Sequence, residues 1–390
     1  MRIGGRKSRR AAGVVRSDKK EKSMPGLRHL ISAQTSLRRL ATPLLLASAA
    51  ILTGCTTPAT HVSGPFNVVP APDAPALTAQ QKAAQEELVR MVALQDRLSK
   101  VSAPLLINNA DLCKAYARNL LGFTAQNKYS YPGIYADAAQ AALGYGEQMQ
   151  VSGVLPGSGA ARAGLRKGDA LLAAEGKPLP SGPKAEGPFG AIVGPLASKS
   201  ASLNMTIARE GQQQDLKIPV TRACAFRVAL GNADNVNAYS DGARIMLTRG
   251  MMDAAQNDEG IAFVIAREMA HNILDHARSQ RTAGTSGSII DSLGAVQPDV
   301  SMLTGAAGIK AMPQELDAQA DALAIYLLAR AGYNIDNAAR FWQRLATQVP
   351  ATVANGYTAL HPGTNSRMAA INRAVIDVRA KQAAKKPVKP

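Results

Sequence analysis

The stretch Ile261-Ala262-Phe263-Val264-Ile265-Ala266-Arg267-Glu268-Met269-Ala270-His271 decides the fold. Read as a helix, it sets residues 267 and 271 at i and i+4 on one face, with Glu268 beside the first. Two histidines at that spacing would hold one metal ion, and the neighbouring glutamate would take a proton from water bound to it. Here Glu268 and His271 are in place, but the first position holds Arg267. A guanidinium is permanently charged and has no lone pair to give a cation. The function therefore turns on what this altered helix can still do.

Ordered segments flank the helix. Upstream stand Asn237-Ala238-Tyr239-Ser240 and Arg244-Ile245-Met246-Leu247-Thr248-Arg249-Gly250-Met251-Met252. Downstream come Asp317-Ala318-Gln319-Ala320-Asp321-Ala322-Leu323, continuing to Ala329-Arg330-Ala331-Gly332-Tyr333, and then His361-Pro362 and Arg367. Asp317 and Asp321 lie one turn apart and share a face. This series resembles metallopeptidase family forty-eight, the HtpX-like, BepA-like and CAAX-prenyl-protease-like zinc enzymes. The resemblance implies an α+β, mostly helical gluzincin-type domain with an Asn-Ala edge strand over the substrate cleft. It implies Glu268 as general base, His271 as zinc ligand and Asp317 as third ligand, where the family has Glu. It further implies Asp321 as an outer carboxylate steadying a ligand imidazole, His361 as a cap on the zinc, and His276 and Arg367 as surrounding support.

Two readings of the altered site follow. In the first, zinc is lost: Arg267 takes over the metal's electrostatic role, pairing with Asp317 and with Glu268, and the chain is a client-binding scaffold. A shortened carboxylate leaves room for the longer cation. In the second, zinc is kept by His271, Asp317 and His361, Arg267 swings away, and the chain is an active zinc endopeptidase with Glu268 as base. A fixed positive charge beside a dication weighs against the second.

Between about Tyr131 and Val220 the texture changes to short strands and Gly-rich turns. Gly164-Leu165-Arg166-Lys167-Gly168-Asp169-Ala170-Leu171-Leu172-Ala173-Ala174-Glu175-Gly176, preceded by Val154-Leu155-Pro156-Gly157-Ser158-Gly159-Ala160-Ala161, resembles a PDZ domain. Leu203, Met205 and Ile207, then Leu216, Ile218 and Val220, alternate around Arg209-Glu210-Gly211 as a hairpin. Pro183 to Ser200 reads as irregular. PDZ domains add a peptide strand and hold its C-terminal carboxylate on backbone amides. The matching loop is expected at Leu143-Gly144-Tyr145-Gly146. Cys113 and Cys224 bracket this block; joined, they would fasten its ends and close a loop of roughly 110 residues, worth on the order of 4–5 kcal/mol in the chain-entropy model.

The remaining expectations concern the termini. Arg38 and Arg39 precede an apolar run, Leu40 to Leu52, that ends in Leu52-Thr53-Gly54-Cys55, similar to a lipobox in which Cys55 is lipidated. Thr56 in second place implies outer-membrane sorting, with the protein facing the periplasm. Residues 1–54 hold twelve of the 45 basic and two of the 28 acidic residues, so the net charge of +17 falls to +7 without them. With only 4% aromatics and no basic–aromatic interleaving, nothing in the sequence points to nucleic-acid binding, and none is expected.

The expected organisation is a leader over 1–54, a Pro/Ala/Thr/Ser-rich tether over 55–76 and an N-terminal helical part over 77–130. A PDZ-like domain over 131–222, a metallopeptidase-like domain over 223–380 and a basic disordered tail over 381–390 follow. Thr78 is expected to cap a helix running to about Ser99, with Leu88, Met91, Val92 and Leu98 near one face. The expected partners are unfolded or unassembled envelope proteins, peptide C-termini and, through the lipid anchor, a membrane.

Overall fold

A computed structural model describes residues 77–303, 312–349 and 365–390. The leader, the tether with Cys55, and His361-Pro362 lie outside the described residues. None of the described helices is long and apolar enough to cross a membrane.

Helix α1 (Ala79–Asn108) opens with a capping box: the Thr78 hydroxyl accepts from the Gln81 N–H, and the Gln81 side chain accepts from the Thr78 N–H. It runs past the expected end near Ser99 and through Pro104. An interior proline costs about 3 kcal/mol. Burial of Leu105 and Leu106 just beyond it returns about 1.5–3 kcal/mol each, so packing outweighs the break.

A stem leads away from this helix. Strand β1 (Ala117–Leu120) pairs antiparallel with β8 (Thr221–Cys224), Ala117 opposite Cys224, and a Cys113–Cys224 disulfide closes its base. Between the stem strands lies an antiparallel sheet in the order β2 (Phe123–Gln126), β3 (Gln150–Val154), β4 (Ala170–Ala174), β6 (Ser202–Arg209), β7 (Gln212–Pro219), with the short β5 (Lys177–Pro178) on β4. Because β2 belongs to this sheet, the insertion starts at the stem rather than near residue 131. The β6–β7 turn carries Glu210 and Gly211 at φ +50° and +78°, the two left-handed residues of a type I′ hairpin. Leu203, Met205, Ile207 and Ile218 fill the core beneath it.

Three helices complete the insertion: α2 (Ile134–Leu143), α3 (Gly159–Arg162) and α4 (Glu186–Lys199). Helix α4 replaces the irregular segment expected from Pro183 to Ser200. Its glycines and prolines disfavour a helix, but Phe189, Ile192, Val193, Leu196 and Ala197 repeat at helical spacing and pack onto the sheet. Helix α2 rests on α1 through a core of Ala84, Leu88, Tyr131, Ala138 and Tyr145, so the insertion is held at more than its stem.

The remainder is built on a three-stranded sheet: β10 (Ala238–Ser240) at one edge, β11 (Arg244–Thr248) in the centre, and β9 (Arg227–Gly231) parallel to it. Seven helices follow among the described residues: α5 (Arg249–Ala255), α6 (Asp258–Ile273), α7 (His276–Ser279), α8 (Ala283–Leu293), α9 (Gln314–Arg330), α10 (Ala338–Gln348) and α11 (Asn365–Ala383). Every residue of α6 from Gly260 to Ile273 is buried, which makes it the central helix.

The basic C-terminus is not the loose tail expected over 381–390. Helix α11 reaches Ala383, and the chain then folds back: Arg330 Nη1 donates to the Val388 carbonyl at 3.2 Å and Lys381 Nζ to the Lys389 carbonyl at 2.6 Å. Asp377 and Asp111 offset the lysines, and Val388 packs on the core.

Candidate functional site

Where α6 faces α9, five ionic side chains meet with almost no access to water. Arg267 Nη1 donates to Glu268 Oε1 at 2.9 Å and Nη2 to Asp317 Oδ1 at 2.5 Å, while Nε lies 3.4 Å from Asp321 Oδ1. Asp321 also accepts from Arg367 on α11, at 2.5 Å from Nε and 2.9 Å from Nη2. None of the five is more than 1% exposed. Trp342 on α10 lies against both cations, its ring 5.7 Å from the Arg267 guanidinium carbon and 4.9 Å from that of Arg367.

Dehydrating so many charges is tolerable only because each meets an opposite one. Burial alone would lower the Arg267 pKa, but Asp317, Glu268 and Asp321 hold it above its usual value. Burial pushes Glu268 up from the ordinary carboxylate range, although Arg267 and a hydrogen bond from Ser240 pull the other way. The Ser240 hydroxyl donates to Glu268 Oε2 at 2.7 Å and so ties edge strand β10 to the cluster.

His271 Nε2 lies 3.5 Å from Asp317 Oδ1, and its Nδ1 lies 3.0 Å from Nδ1 of His276. The contact requires one ring to donate and the other to accept. Burial lowers the His276 pKa, which favours its neutral form.

These contacts test the family's zinc. His271 and Asp317 do come together, but the first ligand position points a guanidinium at the same carboxylate. Among the described residues no three His, Cys, Asp or Glu side chains converge to hold a metal ion. Asp321, expected to steady an imidazole, is bonded to Arg367 and faces Arg267 instead. The described donor set does not fit a zinc ion, and no step is assigned to one. His361 lies outside the described residues.

Sequence reasoning missed Trp342 and Ser240. A signal was available for Ser240, which ends the Asn-Ala-Tyr-Ser strand, whereas nothing in the sequence ties Trp342, the chain's one tryptophan, to the site.

In the insertion, the loop Leu143-Gly144-Tyr145-Gly146 is not an open amide cradle. Gly144 ends α2 in the left-handed conformation, its N–H and that of Tyr145 donate to the Ala139 carbonyl, and the Gly146 N–H donates to Gln150 Oε1. Tyr145 is buried against Tyr131. The segment that enters an edge strand is Leu120-Leu121-Gly122-Phe123, and α4 runs close to its first part. Gly122 has φ +87°, and a Cβ there would stand 2.2 Å from Ser158 Cβ, so glycine is required.

Two solved structures illustrate what the insertion is similar to. The HtrA3 PDZ domain bound to a phage-derived ligand is 15% identical, with a TM-score of 0.21, covering 27% of this chain and 88% of that one. The HtrA-type protease AlgW with decapeptide is 24% identical, with a TM-score of 0.21, covering 27% of this chain and 30% of that one. The peptidase family M48 model matches residues 199–375, from the end of α4 into α11, and so takes in Arg267, Glu268, His271, Asp317, Asp321 and Arg367. Residues 199–375 are therefore similar to peptidase family M48.

Proposed function

We propose that this chain is a lipid-anchored protein of the cell envelope that holds unfolded or unassembled proteins on the periplasmic side without cutting them. Cys55 carries the anchor, the outer membrane is its site, and the PDZ-like insertion receives client C-termini. The observation that carries this reading is the Arg267 guanidinium lodged between Glu268 and Asp317. It supplies as a fixed side chain the positive charge that a dication would bring. Glu268, expected as general base, instead accepts hydrogen bonds from Arg267 and Ser240.

For the insertion, edge strand β2 and the Gly122 turn before it support capture of an extended peptide. Strand addition gives affinity through the backbone, and amides at the turn suit a terminal carboxylate.

The test is zinc content after zinc is supplied, together with cleavage of an unfolded substrate such as casein. Little zinc and no cleavage are expected from the protein, and an Arg267→His, Asp317→Glu variant is expected to gain zinc. Stoichiometric zinc in the unaltered protein would overturn the reading and favour an endopeptidase held by His271, Asp317 and His361. The 3.5 Å approach of His271 to Asp317 is the feature that would serve it.

A further inference from the structure

We propose that a second cleft, between the first turns of α6 and helix α10, is a binding site for an oxyanion, a phosphate or carboxylate group. The cleft has a volume of about 450 Å³ and is bounded by Glu259, Asn337, Arg340 and Arg344 over a floor of Phe263 and Phe341. The charge network described above lies deeper along α6 and contributes no wall to it.

The feature that points to a ligand is Arg344. Its Nε is shut off from water and has no hydrogen-bond partner, and no ion pair meets its guanidinium among the described residues. The guanidinium lies 5.4 Å from the centre of the Phe341 ring, which fixes its plane but satisfies none of its donors. A buried donor left unmade is costly, and a guanidinium offers Nε and one Nη as a parallel fork matched to two oxygens of a carboxylate or phosphate. Arg340 stands one turn earlier on the same helix, its Nη2 donating to Asn337 Oδ1 at 2.6 Å. Asn337 in turn donates to Glu259 at 3.1 Å, which occupies that carboxylate's oxygen. The nearby Asp258 is engaged by Arg97 Nε at 2.7 Å. Two guanidiniums against one carboxylate leave the cleft with a positive balance, the right sign for an anion.

The floor connects the cleft to a reporter. Phe341 meets Trp342 edge-on at 5.0 Å, and Trp342 is the only tryptophan in the chain. An anion drawn onto Arg344 disturbs the ring beside that indole.

The experiment titrates the full chain with inorganic phosphate and, separately, with acetate, holding ionic strength constant with sodium chloride and reading tryptophan fluorescence. A saturable change is expected with at least one anion. Tighter binding of phosphate assigns a phosphoryl ligand, and equal or tighter binding of acetate a carboxylate; either supports the site. Arg344→Gln and Arg340→Gln are expected to weaken binding by about tenfold or more, with near-ultraviolet circular dichroism unchanged. Arg344→Lys, which keeps the charge but lacks the fork, is expected to weaken it nearly as much. A response that chloride reproduces, or one that survives both glutamine variants, would overturn the proposal.

Discussion

At position 267 a single residue decides between two chemistries. A histidine there would complete a pair of ligands one helical turn apart, whereas arginine brings a cation that no pH in ordinary use removes. Its partners are then drawn into an ionic cluster in which Glu268 is the adaptable member, because its pKa is raised by burial. A carboxyl raised in the folded state holds its proton more tightly than in the unfolded chain. Its contribution to stability is therefore full below the unfolded value, about 4.3, and is lost as pH rises through the folded value, by up to about 1.4 kcal/mol per pH unit. Glu268→Gln keeps the shape without the charge and is expected to raise the melting temperature at neutral pH but not at pH 4. His276, lowered by burial, adds the opposite slope as pH falls through about 6.5, yet it is common to both proteins and cancels in the difference. Melting curves of the two proteins across pH check this; a variant less stable at neutral pH than the parent would contradict it. The pairing of Arg267 with Asp317 could be anticipated from the paired loss of His and Glu. The role of Trp342 could not, because cation–π contact depends on where α10 crosses, and no spacing within the sequence reports that.

Among the elements, legibility followed periodicity. The β6–β7 hairpin was readable because period-two alternation and a Glu-Gly turn agree. Helix α6 was readable because one motif spans it. Helix α4 was overlooked since Gly187, Pro188, Gly190, Gly194 and Pro195 signal a loop, although Phe189, Ile192, Val193, Leu196 and Ala197 mark a helical face. The turn at Gly122 is hard to read because one glycine before a short strand carries little signal, whereas Gly144 and Gly146 flank a tyrosine in a more conspicuous loop. Gly122 and Gly144 now give opposing expectations. Gly122→Ala forces a side chain into the left-handed region and against Ser158, and is expected to weaken a labelled peptide with a free C-terminal carboxylate by about tenfold or more. Gly144→Ala meets open space, so only backbone strain acts, on the order of 1 kcal/mol at the end of α2, with peptide affinity unchanged. Fluorescence anisotropy with the free and amidated peptides measures both. Equal binding of the two peptides would rule out a carboxylate cradle.

The described part of the molecule joins an inserted sheet to a mostly helical core built around α6, and the attachments decide how independently they move. The stem strands supply one, the packing of α2 on α1 a second, and a Lys167–Asp96 pair at 2.7 Å a third, which is exposed and so worth little. The disulfide adds a constraint of another kind. Cys113 and Cys224 are 111 positions apart, both fully buried, at the point where the chain leaves the core and returns. By the chain-entropy account the bond acts mainly on the unfolded state, with a ceiling near 4–5 kcal/mol for a loop of this size. Since β1, β8 and α2 hold the same junction without it, the folded insertion is expected to keep its place when the bond is absent. A Cys113→Ala, Cys224→Ala variant should therefore bind the carboxylate peptide with unchanged affinity while melting well below the parent. Reductant should lower the parent's melting temperature toward that of the variant and leave the variant unaffected. Loss of peptide binding at temperatures where the variant remains folded would mean that the covalent bond positions the insertion, and that the noncovalent attachments are too weak to do so alone.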